Sequence, residues 1–292
     1  MNIVILSRGR MLYSTRRLIE VGRRRGHDVR VVDPHRCTIT LIEGQFDIQH
    51  EGLSLKKTDC VIPRVGGNSV DMVLSLLKQF EILEAISLNS ADGILRSRDK
   101  FRSLQELANA GIPTPHTMMV LQPDLLPQAL ELLDGPPVII KLREGTQGVG
   151  VIKADSLQSA ESTVQAMWAL NQTVLLQRFI EESKGSDIRA FVVDDKVIGA
   201  MRRSARSGDF RSNLHLGGVA ERIKLSEEMR DIALDAAKLF DLRVAGVDML
   251  ESRDGPVVTE VNPSPGLEGI ESITRFDVAR AIIRSAENLY NA

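Results

Sequence analysis

The hydrophobic positions of the first 90 residues alternate between strand-like and helix-like patterns. Short apolar runs, NIVILS and DVRVVD, predict strands, and DIQHEG and LSLKKTDCVIPRV predict further strand pieces. Residues 14–25 and 70–84 instead carry apolar positions at helical spacing. This alternation predicts a small parallel sheet with helices on both faces. The first turn, SRGRML, lacks the G-x-G-x-x-G fingerprint, so the sequence does not predict a bound dinucleotide.

The pattern changes after residue 98. Residues 99–110 predict a helix with an aspartate near its start and Gly111 at its close, followed by the extended segment IPTP. A second helix, at 124–133, leads to a Gly-Pro-Pro break. Beyond it, two strands at 138–142 and 149–153 bracket the loop REGTQGVG.

The glycine-rich loop is a candidate for anion binding. Gly145, Gly148 and Gly150 allow a backbone to approach a ligand closely and to offer N–H groups to it, and Lys141 ends the preceding strand. The loop is not a Walker A motif, because no Lys-Ser/Thr follows its last glycine and a strand follows it instead of a helix. The alternative is a flexible hairpin without a ligand, with Lys141 as a surface lysine.

The remaining half of the chain predicts two hairpins, three helices and, in TVLLQRFIEES, a strand that runs into a turn. Helices are expected at 156–170, 226–241 and 276–290. The stretch GSDIRAFVVDDKVIGAMRRSA predicts a hairpin with Asp194 and Asp195 at its tip, and the polar stretch GDFRSNLHLGG predicts a loop.

The second hairpin, VAGVDMLESRDGPVVTEVN, places oxygen-bearing side chains on one face. Alternation of side chains puts Asp248, Glu260 and Asn262 on the polar face. Matching the apolar faces requires an even sum of paired residue numbers, which a three-residue loop, 253–255, would give, and this register sets Asp248 opposite Glu260. Facing carboxylates repel unless a cation lies between them, and oxygen ligands favour a hard cation such as magnesium. The alternative is a solvated hairpin face.

Composition narrows the class of protein without identifying it. The chain has 292 residues, 43% hydrophobic and 26% charged, with a net charge of -2, which is ordinary for a globular protein and gives no signal for DNA or another polyanion. The two cysteines, Cys37 and Cys60, are far apart and predict no disulfide, so a cytoplasmic location is expected. No apolar run approaches the ~20 residues that span a membrane.

Taken in order, these segments resemble an ATP-grasp ligase. The shared pieces are Asp99 and Lys100 before GIPTP, Lys141 with its glycine loop, QRFI followed by Asp187, and the final hairpin. The stretches FRSNLHLGG and NPSPGLEGIE more narrowly resemble the RimK-type alpha-L-glutamate ligases, a family that includes an enzyme acting on the C-terminus of a small-subunit ribosomal protein. The resemblance covers the whole chain.

The resemblance implies an α/β ATP-grasp fold. It divides the chain into a Rossmann-like N-terminal domain (1–97), a central subdomain with the glycine-rich lid (98–176) and a C-terminal subdomain with the metal site (177–292). It also implies a homo-oligomer.

The resemblance further implies a role for each candidate residue. Lys100 and Lys141 would contact the ATP phosphates beneath a lid containing Gly145, Gly148 and Gly150, with Asp99 positioning Lys100. The adenine would lie against 176–180, at Arg178 and Phe179, and the ribose at Asp187. Residues Arg211, Ser212 and Asn213 would line the phosphate and substrate side. The ligands of one or two Mg²⁺ or Mn²⁺ ions would be Asp248, Glu260 and Asn262.

Three of these positions carry a specific alternative. Lys100 could be a surface lysine of its helix, Asp187 could form a structural ion pair with Arg189, and Arg211 could be a surface charge of its loop. Position 178 departs from the family, because many relatives carry glutamate where this chain has arginine. That departure puts nucleotide affinity or base preference in question.

The expected reaction is the joining of a carboxylate to an amine with ATP. Transfer of the γ-phosphoryl group to the carboxylate makes an acylphosphate, which an amine attacks. The expected substrates are L-glutamate and an acidic peptide or protein C-terminus, to which one or more glutamates are added. Arginines at 202, 203, 206 and 211 would bind the acidic tail, with Arg203, Arg211 and Asn213 closest to the chemistry.

Three competing interpretations remain at this stage. The same ligase chemistry could act on a small molecule or a carrier-protein tail. A nucleotide-binding regulator would bind ATP without glutamate-dependent ADP release. An RNA-binding module led by the arginines at 23–25 would show strongly salt-dependent RNA affinity.

Overall fold

The computed structural model describes residues 1–64, 70–143, 150–206, 210–212 and 217–292. The strands, numbered in chain order, are β1 (Asn2–Leu6), β2 (Asp28–Val32), β3 (Cys37–Ile42), β4 (Gln45–His50), β5 (Leu53–Ser54), β6 (Cys60–Pro63), β7 (Ile86–Ser87), β8 (Thr117–Met119), β9 (Val138–Leu142), β10 (Val151–Ala154), β11 (Val174–Arg178), β12 (Ser186–Val193), β13 (Lys196–Ser204), β14 (Val219–Arg222), β15 (Val244–Ser252) and β16 (Gly255–Asn262). The helices are α1 (Tyr13–Arg24), α2 (Val70–Ile82), α3 (Ala91–Arg98), α4 (Lys100–Asn109), α5 (Leu126–Leu132), α6 (Leu157–Ala169), α7 (Glu227–Leu239), α8 (Leu267–Thr274) and α9 (Val278–Tyr290).

The N-terminal sheet has the order β2-β1-β6-β7, and its strand pairs are parallel. Successive side chains of β1 point to opposite faces, so Ile3 and Ile5 pack towards α1 and α9, whereas Val4 and Leu6 pack towards α2. Burial of a side chain such as Phe80 in α2 contributes roughly 1.5–3 kcal/mol to folding. The predicted parallel sheet with helices on both faces is confirmed.

The central sheet, β10-β9-β11-β8, is antiparallel and has its own hydrophobic core. Val138 and Ile140 of β9 point into that core with the buried residues of α5 and α6. Their neighbours Ile139 and Lys141 point to the opposite face, which lines a cavity. The sheet therefore has one closed face and one face open to a ligand.

The C-terminal sheet has the order β14-β13-β12-β15-β16 and packs against helices on both sides. One face packs on α7, and the other packs on α8 and α9. Both of these cores also contain residues of the N-terminal sheet, so the first and last thirds of the chain share their cores. The segment after α4 is held to this sheet because Val258 N donates to Pro113 O at 2.8 Å.

The last hairpin has the predicted pairing but not the predicted loop. Asp248 pairs with Glu260 in the ladder, as expected. The three-residue loop was wrong, because Ser252 pairs with Gly255 and leaves a two-residue turn. A β-bulge beside Asp248 inserts one extra residue, Thr259, and this shift restores the even register.

Elements without a prediction include α3, α8 and β3. The predicted strand pieces DIQHEG and LSLKKTDCVIPRV correspond to β4, β5 and β6, and β3, β4 and β5 form a small antiparallel sheet. Gln79 of α2 ties that sheet to the domain, since its Nε2 donates to Thr40 O at 3.0 Å and to Asp47 O at 2.8 Å. Among the residues that the structure describes, no helix combines the length and apolar content needed to cross a bilayer.

Candidate active site

A cavity of about 160 Å³ lies between the open face of the central sheet and the C-terminal sheet. Most of the described candidate residues line this cavity: Lys100, Lys141, Arg178, Phe179, Asp187, Arg203, Arg211, Ser212, Asp248 and Glu260. Sequence-distant elements thus bring the predicted phosphate contacts and the predicted metal ligands into one place. Asn262, which does not line it, lies two residues beyond Glu260 on β16.

The start of α4 presents Lys100 to the cavity. Asp99 is the N-cap of this helix, and its side chain accepts hydrogen bonds from Phe101 N and Arg102 N at 3.1 Å each. Its other oxygen accepts from Arg143 Nη2 at 2.6 Å. Burial alone would raise the pKa of Asp99, but the contacts with Arg143 and the helix N–H groups outweigh it and lower the pKa. Asp99 thus positions Lys100 by fixing the start of its helix.

Lys141 is a cation held by an amide. Its Nζ donates to Gln177 Oε1 at 2.7 Å, and Gln177 Nε2 donates onward to Thr117 Oγ1 at 2.8 Å. Desolvation lowers the pKa of Lys141 to about 8, and nearby Lys100 acts in the same direction while Glu260 opposes it. An ammonium in this environment gains strongly from an incoming anion, which fits the predicted phosphate contact.

The glycine-rich loop is described only at its end. Gly145 and Gly148 lie outside the described residues. Gly150 has φ 74°, and a Cβ there would lie 2.6 Å from Leu142 Cδ1, so both backbone and space require glycine. Leu142 N donates to Gly150 O at 3.0 Å, which closes the predicted hairpin of β9 and β10.

The C-terminal wall of the cavity is a network of two aspartates and two arginines, in which Arg203 and Asp248 are buried and Asp187 and Arg189 are half-buried. Arg203 is 3% exposed; its Nε donates to Asp187 Oδ1 at 2.7 Å and its Nη2 to Asp248 Oδ2 at 2.8 Å. Arg189 donates to both oxygens of Asp248, at 2.6 and 2.5 Å. Asp187 is therefore paired with Arg203, and not with Arg189 as the structural alternative assumed.

The two aspartates of this network differ in their pKa shifts. Burial raises the pKa of Asp187, and the Arg203 guanidinium only partly offsets it. Burial would also raise the pKa of Asp248, but two guanidinium groups outweigh it and lower the pKa. The same two carboxylates raise the pKa of Arg203 although burial opposes this.

The donor set on β15 and β16 fits a hard divalent cation. Asp248 and Glu260 are ladder partners, and Asn262 lies on the same strand face as Glu260. Within the described ranges, no cluster of three His, Cys, Asp or Glu side chains is arranged for a metal; the set here is two carboxylates and an amide oxygen. Asp248 Oδ1 accepts one hydrogen bond from Arg189, so a lone pair of this oxygen is available to a cation. Asn262 Oδ1 accepts from Ser264 N at 2.8 Å, which fixes its orientation.

The strand that would face adenine is β11 with the residues after it. Arg178 is exposed, and its guanidinium pairs with Asp134 at 3.2 Å on the surface. Its backbone N donates to His116 O at 3.0 Å. Phe179 lies beneath Lys153, whose Nζ is 4.6 Å from the ring centroid. The Arg178 guanidinium is thus engaged in an exposed ion pair, while its backbone N is held within the sheet edge by His116.

The loop after β13 contributes Arg211 and Ser212 to the cavity, and Asn213 lies outside the described residues. The arginines expected to bind an acidic tail do not form one surface. Arg202 pairs with Glu251 at 2.6 Å, and Arg206 Nε donates to Gly217 O at 2.7 Å, while Arg203 is enclosed by aspartates. Strand alternation separates Arg202 from Arg203, so consecutive arginines on β13 serve different faces.

Sequence reasoning missed three residues that hold the site in place. Gln177 orients Lys141, Arg143 holds Asp99, and Arg189 holds Asp248. Gln177 carried a usable signal, because it is a buried polar residue that follows three apolar residues in β11. The other two depend on strand and helix contacts between distant parts of the chain.

Comparison with protein-family models gives two adjacent matches. Residues 1–94 match the RimK PreATP-grasp domain, and residues 97–286 match the RimK-like ATP-grasp domain. A probable alpha-L-glutamate ligase of Shewanella denitrificans is 47% identical over 291 residues, covering 100% of this chain and 99% of the relative. A probable alpha-L-glutamate ligase of Alkalilimnicola ehrlichii is 49% identical over 282 residues, covering 97% and 94%.

Solved structures share the fold at low sequence identity. The ATP-grasp ligase PsnB, complexed with a phosphomimetic variant of its minimal precursor, Mg and ADP, superimposes with a TM-score of 0.76 at 21% identity, covering 100% of this chain and 99% of that one. The RimK domain ATP-grasp protein of Sphaerobacter thermophilus gives a TM-score of 0.74 at 21% identity, covering 98% of this chain and 99% of that one. The expected ATP-grasp fold is confirmed.

Proposed function

The chain belongs to the RimK-like family of ATP-grasp ligases, and from this premise we propose that it adds L-glutamate to the C-terminal carboxylate of an acidic peptide or protein. ATP would supply the phosphoryl group, and ADP and phosphate would leave. The observation that carries the proposal is the meeting of Lys100 and Lys141 with Asp248 and Glu260 across one cavity. The names of the bacterial relatives support glutamate as the amine.

The reaction needs positioning and charge stabilisation more than a protein nucleophile. The acceptor carboxylate attacks the γ-phosphorus, the bond to ADP breaks, and an acylphosphate forms. The α-amine of glutamate then attacks the acyl carbon, loses a proton, and phosphate leaves. Lys100 and Lys141 stabilise the phosphate charge during the first step. When bound, a divalent cation at Asp248, Glu260 and Asn262 neutralises the phosphate oxygens; Mg²⁺ is the expected ion, and Mn²⁺ has the same ligand preference.

Asp187, Arg203 and Arg189 maintain the wall on which these groups act. Their ion pairs hold Asp248 in one orientation, so the metal ligand needs no rearrangement when a cation arrives. In the proposed assignment, the ribose hydroxyls of ATP meet Asp187, and the adenine meets the β11 backbone near Arg178 and Phe179. The proposed phosphate side is completed by Arg211, Ser212 and Asn213.

A half-buried arginine at the end of β6 supports a carboxylate substrate. Arg64 follows β6 at the carboxyl edge of the parallel sheet, where ligands of such sheets bind. Its Nη2 donates to Pro265 O at 2.8 Å, and among the described residues its buried Nε has no hydrogen-bond partner. Desolvation lowers the pKa of Arg64 to about 10, a shift that a bound carboxylate would reverse.

We therefore assign Arg64 to a carboxylate of glutamate or of the acceptor. Arg64→Lys keeps the charge but loses the planar fork, so the KM of one of these substrates should rise about tenfold while the KM of ATP stays unchanged. An unchanged KM for both carboxylate substrates would refute the assignment.

Mass spectrometry of a glutamate-ended peptide tests the proposed function directly. After incubation with MgATP and L-glutamate, we expect products heavier by one or more glutamyl residues. The Asp248→Ala, Glu260→Ala double variant should give none. Glutamate-dependent ADP release without a peptide product would instead direct the search to small-molecule or carrier-protein acceptors.

A further inference from the structure

Half of strand β13 has an open outer edge in the described part of the chain. β14 pairs only with Met201–Ser204 of β13. Beyond it, Ile223 N donates to Ala200 O at 3.3 Å, and the chain then turns away towards α7. The outer side of residues 196–199 therefore presents backbone groups that another strand could pair with.

A groove of about 500 Å³ runs along this open edge, between α7 and the end of α8. Its lining is partly apolar, with half-buried Ile198, Ile223 and Leu234, and with Phe276 at 44% exposure. We call it the β13 groove. It is separate from the catalytic cavity, because residues 197 and 203 lie six positions apart on β13, about 20 Å at ~3.3 Å per residue.

The rim of the β13 groove is strongly cationic. Five exposed basic residues line it, and Asp195 is the single acidic residue of the lining; the five are Lys196, Arg222, Lys224, Arg230 and Arg275. None of the five forms an ion pair within the residues that the structure describes. The positive charge of this rim contrasts with the net charge of -2 for the whole chain. Unpaired cations around an apolar floor favour an anionic ligand with some apolar character.

We propose that the β13 groove binds an extended acidic segment of the acceptor, upstream of the C-terminus that is modified. The segment would pair with residues 196–199 in line with β14 and place its carboxylates against the cationic rim. The inference rests on the proposed function for the identity of the acceptor. It requires an acceptor tail of at least about six residues between the groove and the catalytic cavity, at ~3.3 Å per residue.

Two other occupants fit the groove less well. Single-stranded RNA binds through aromatic stacking surfaces, and Phe276 is the single aromatic residue of the lining. A second copy of this chain that used the same surface would bring five cations against five cations. A peptide uses the strand edge, the apolar floor and the charged rim together.

Binding without nucleotide tests the groove independently of catalysis. A fluorescent ten-residue acidic peptide ending in glutamate would be titrated with the full chain, and anisotropy would be measured. Lys224→Glu, Arg230→Glu should weaken binding at least about tenfold. The matched control is Arg30→Glu, Lys56→Glu, an equal charge change at exposed cations of the N-terminal domain, and it should stay within about twofold. Equal losses in both variants would overturn the proposal.

Two further probes test what occupies the edge. A peptide with N-methyl groups at alternate backbone positions keeps its charge but loses donors, so it should bind about tenfold more weakly. Unchanged binding of the N-methylated peptide, or tighter binding of a ten-nucleotide single-stranded RNA, would overturn the proposal.

Sedimentation tests whether the groove is instead an interface between copies of the chain. Wild type and the Lys224→Glu, Arg230→Glu variant should have the same oligomeric state, and dissociation of that variant would identify such an interface instead.

Comparing a long and a short acceptor shows whether the peptide-binding assignment of the β13 groove is wrong or whether the proposed function itself is wrong. In the Lys224→Glu, Arg230→Glu variant, the KM of the ten-residue acceptor should rise about tenfold. The dipeptide Glu-Glu is too short to reach from the catalytic cavity to the β13 groove, so the rate of its glutamylation should stay unchanged. Glutamylation of both acceptors with an unchanged KM would overturn the groove alone. If wild type glutamylates neither acceptor, the proposed function fails, while specific peptide binding would still support the groove.

Discussion

The two walls of the catalytic cavity differ in how their charged side chains are paired. On the central sheet, Lys141 is held by an amide and its pKa is lowered to about 8. On the C-terminal sheet, Asp187 and Asp248 are both paired with guanidinium groups. The first wall has a charge that an incoming anion can neutralise, whereas the second neutralises itself. We infer that the first wall mainly binds the nucleotide and that the second mainly keeps a metal ligand in position.

The largest expected effect tests the first wall. Lys141→Met should lower kcat/KM about 10²–10³-fold, because a preorganised cation at the phosphates is lost. The melting temperature should not fall, since the variant removes a desolvated ammonium that lacks a carboxylate partner among the described residues. Activity assays and thermal unfolding of the same preparation measure both quantities. Exposed Lys78 of α2 supplies the control, Lys78→Met, which should leave activity unchanged.

The second prediction concerns stability and tests the C-terminal wall. Arg203→Met leaves half-buried Asp187 without its guanidinium partner and removes one of the two guanidinium groups that pair with buried Asp248, so it should lower the free energy of unfolding by about 3–5 kcal/mol. The neighbouring Arg202 pairs with Glu251 near the surface, so Arg202→Met should cost below about 1 kcal/mol. Urea unfolding of the two variants provides the comparison. Equal effects would mean that the buried network is not the stabilising element of this wall.

The third prediction is a pH dependence of nucleotide binding. Lys141 is protonated below its pKa of about 8 and neutral above it. A phosphate binds the protonated form, so ADP affinity measured in EDTA should fall above pH ~8, by up to about tenfold per pH unit. Arg at this position stays charged, and Lys141→Arg should therefore remove the decline. Calorimetry in buffers of different ionisation enthalpy would also detect proton uptake on binding. A flat wild-type profile to pH ~9.5 would contradict the assignment.

The contrast between the walls also explains what the sequence could predict. Lys141 beside a glycine-rich loop, and Asp248 opposite Glu260, are local patterns that strand periodicity exposes. The bulge at Thr259 is not local, because nothing in SRDG distinguishes a two-residue turn with a later bulge from a three-residue loop. The pairing was therefore correct and the loop wrong.

The ion-pair network lies beyond sequence reasoning for a different reason. Arg189 meets Asp248 because β12 and β15 are ladder partners, although 59 residues separate the two side chains along the chain. No periodicity within either strand specifies that adjacency. The same limit applies to Arg143 and Asp99, which are 44 residues apart. A local pattern could identify the metal ligand, but not the side chains that orient it.

The smallest expected effect concerns Arg178, where the family resemblance led us to expect glutamate. Its guanidinium pairs with Asp134 at an exposed site, and such pairs contribute about 0–1 kcal/mol. Its backbone N is held by His116 O, so the strand should keep its geometry whatever side chain follows. Arg178→Glu should therefore change ATP affinity less than about threefold, and the preference for ATP over GTP should stay. Equilibrium binding of both nucleotides measures this. A change above tenfold would mean that side chain 178 contacts the base directly, and the central wall would then recognise the base as well as the phosphates.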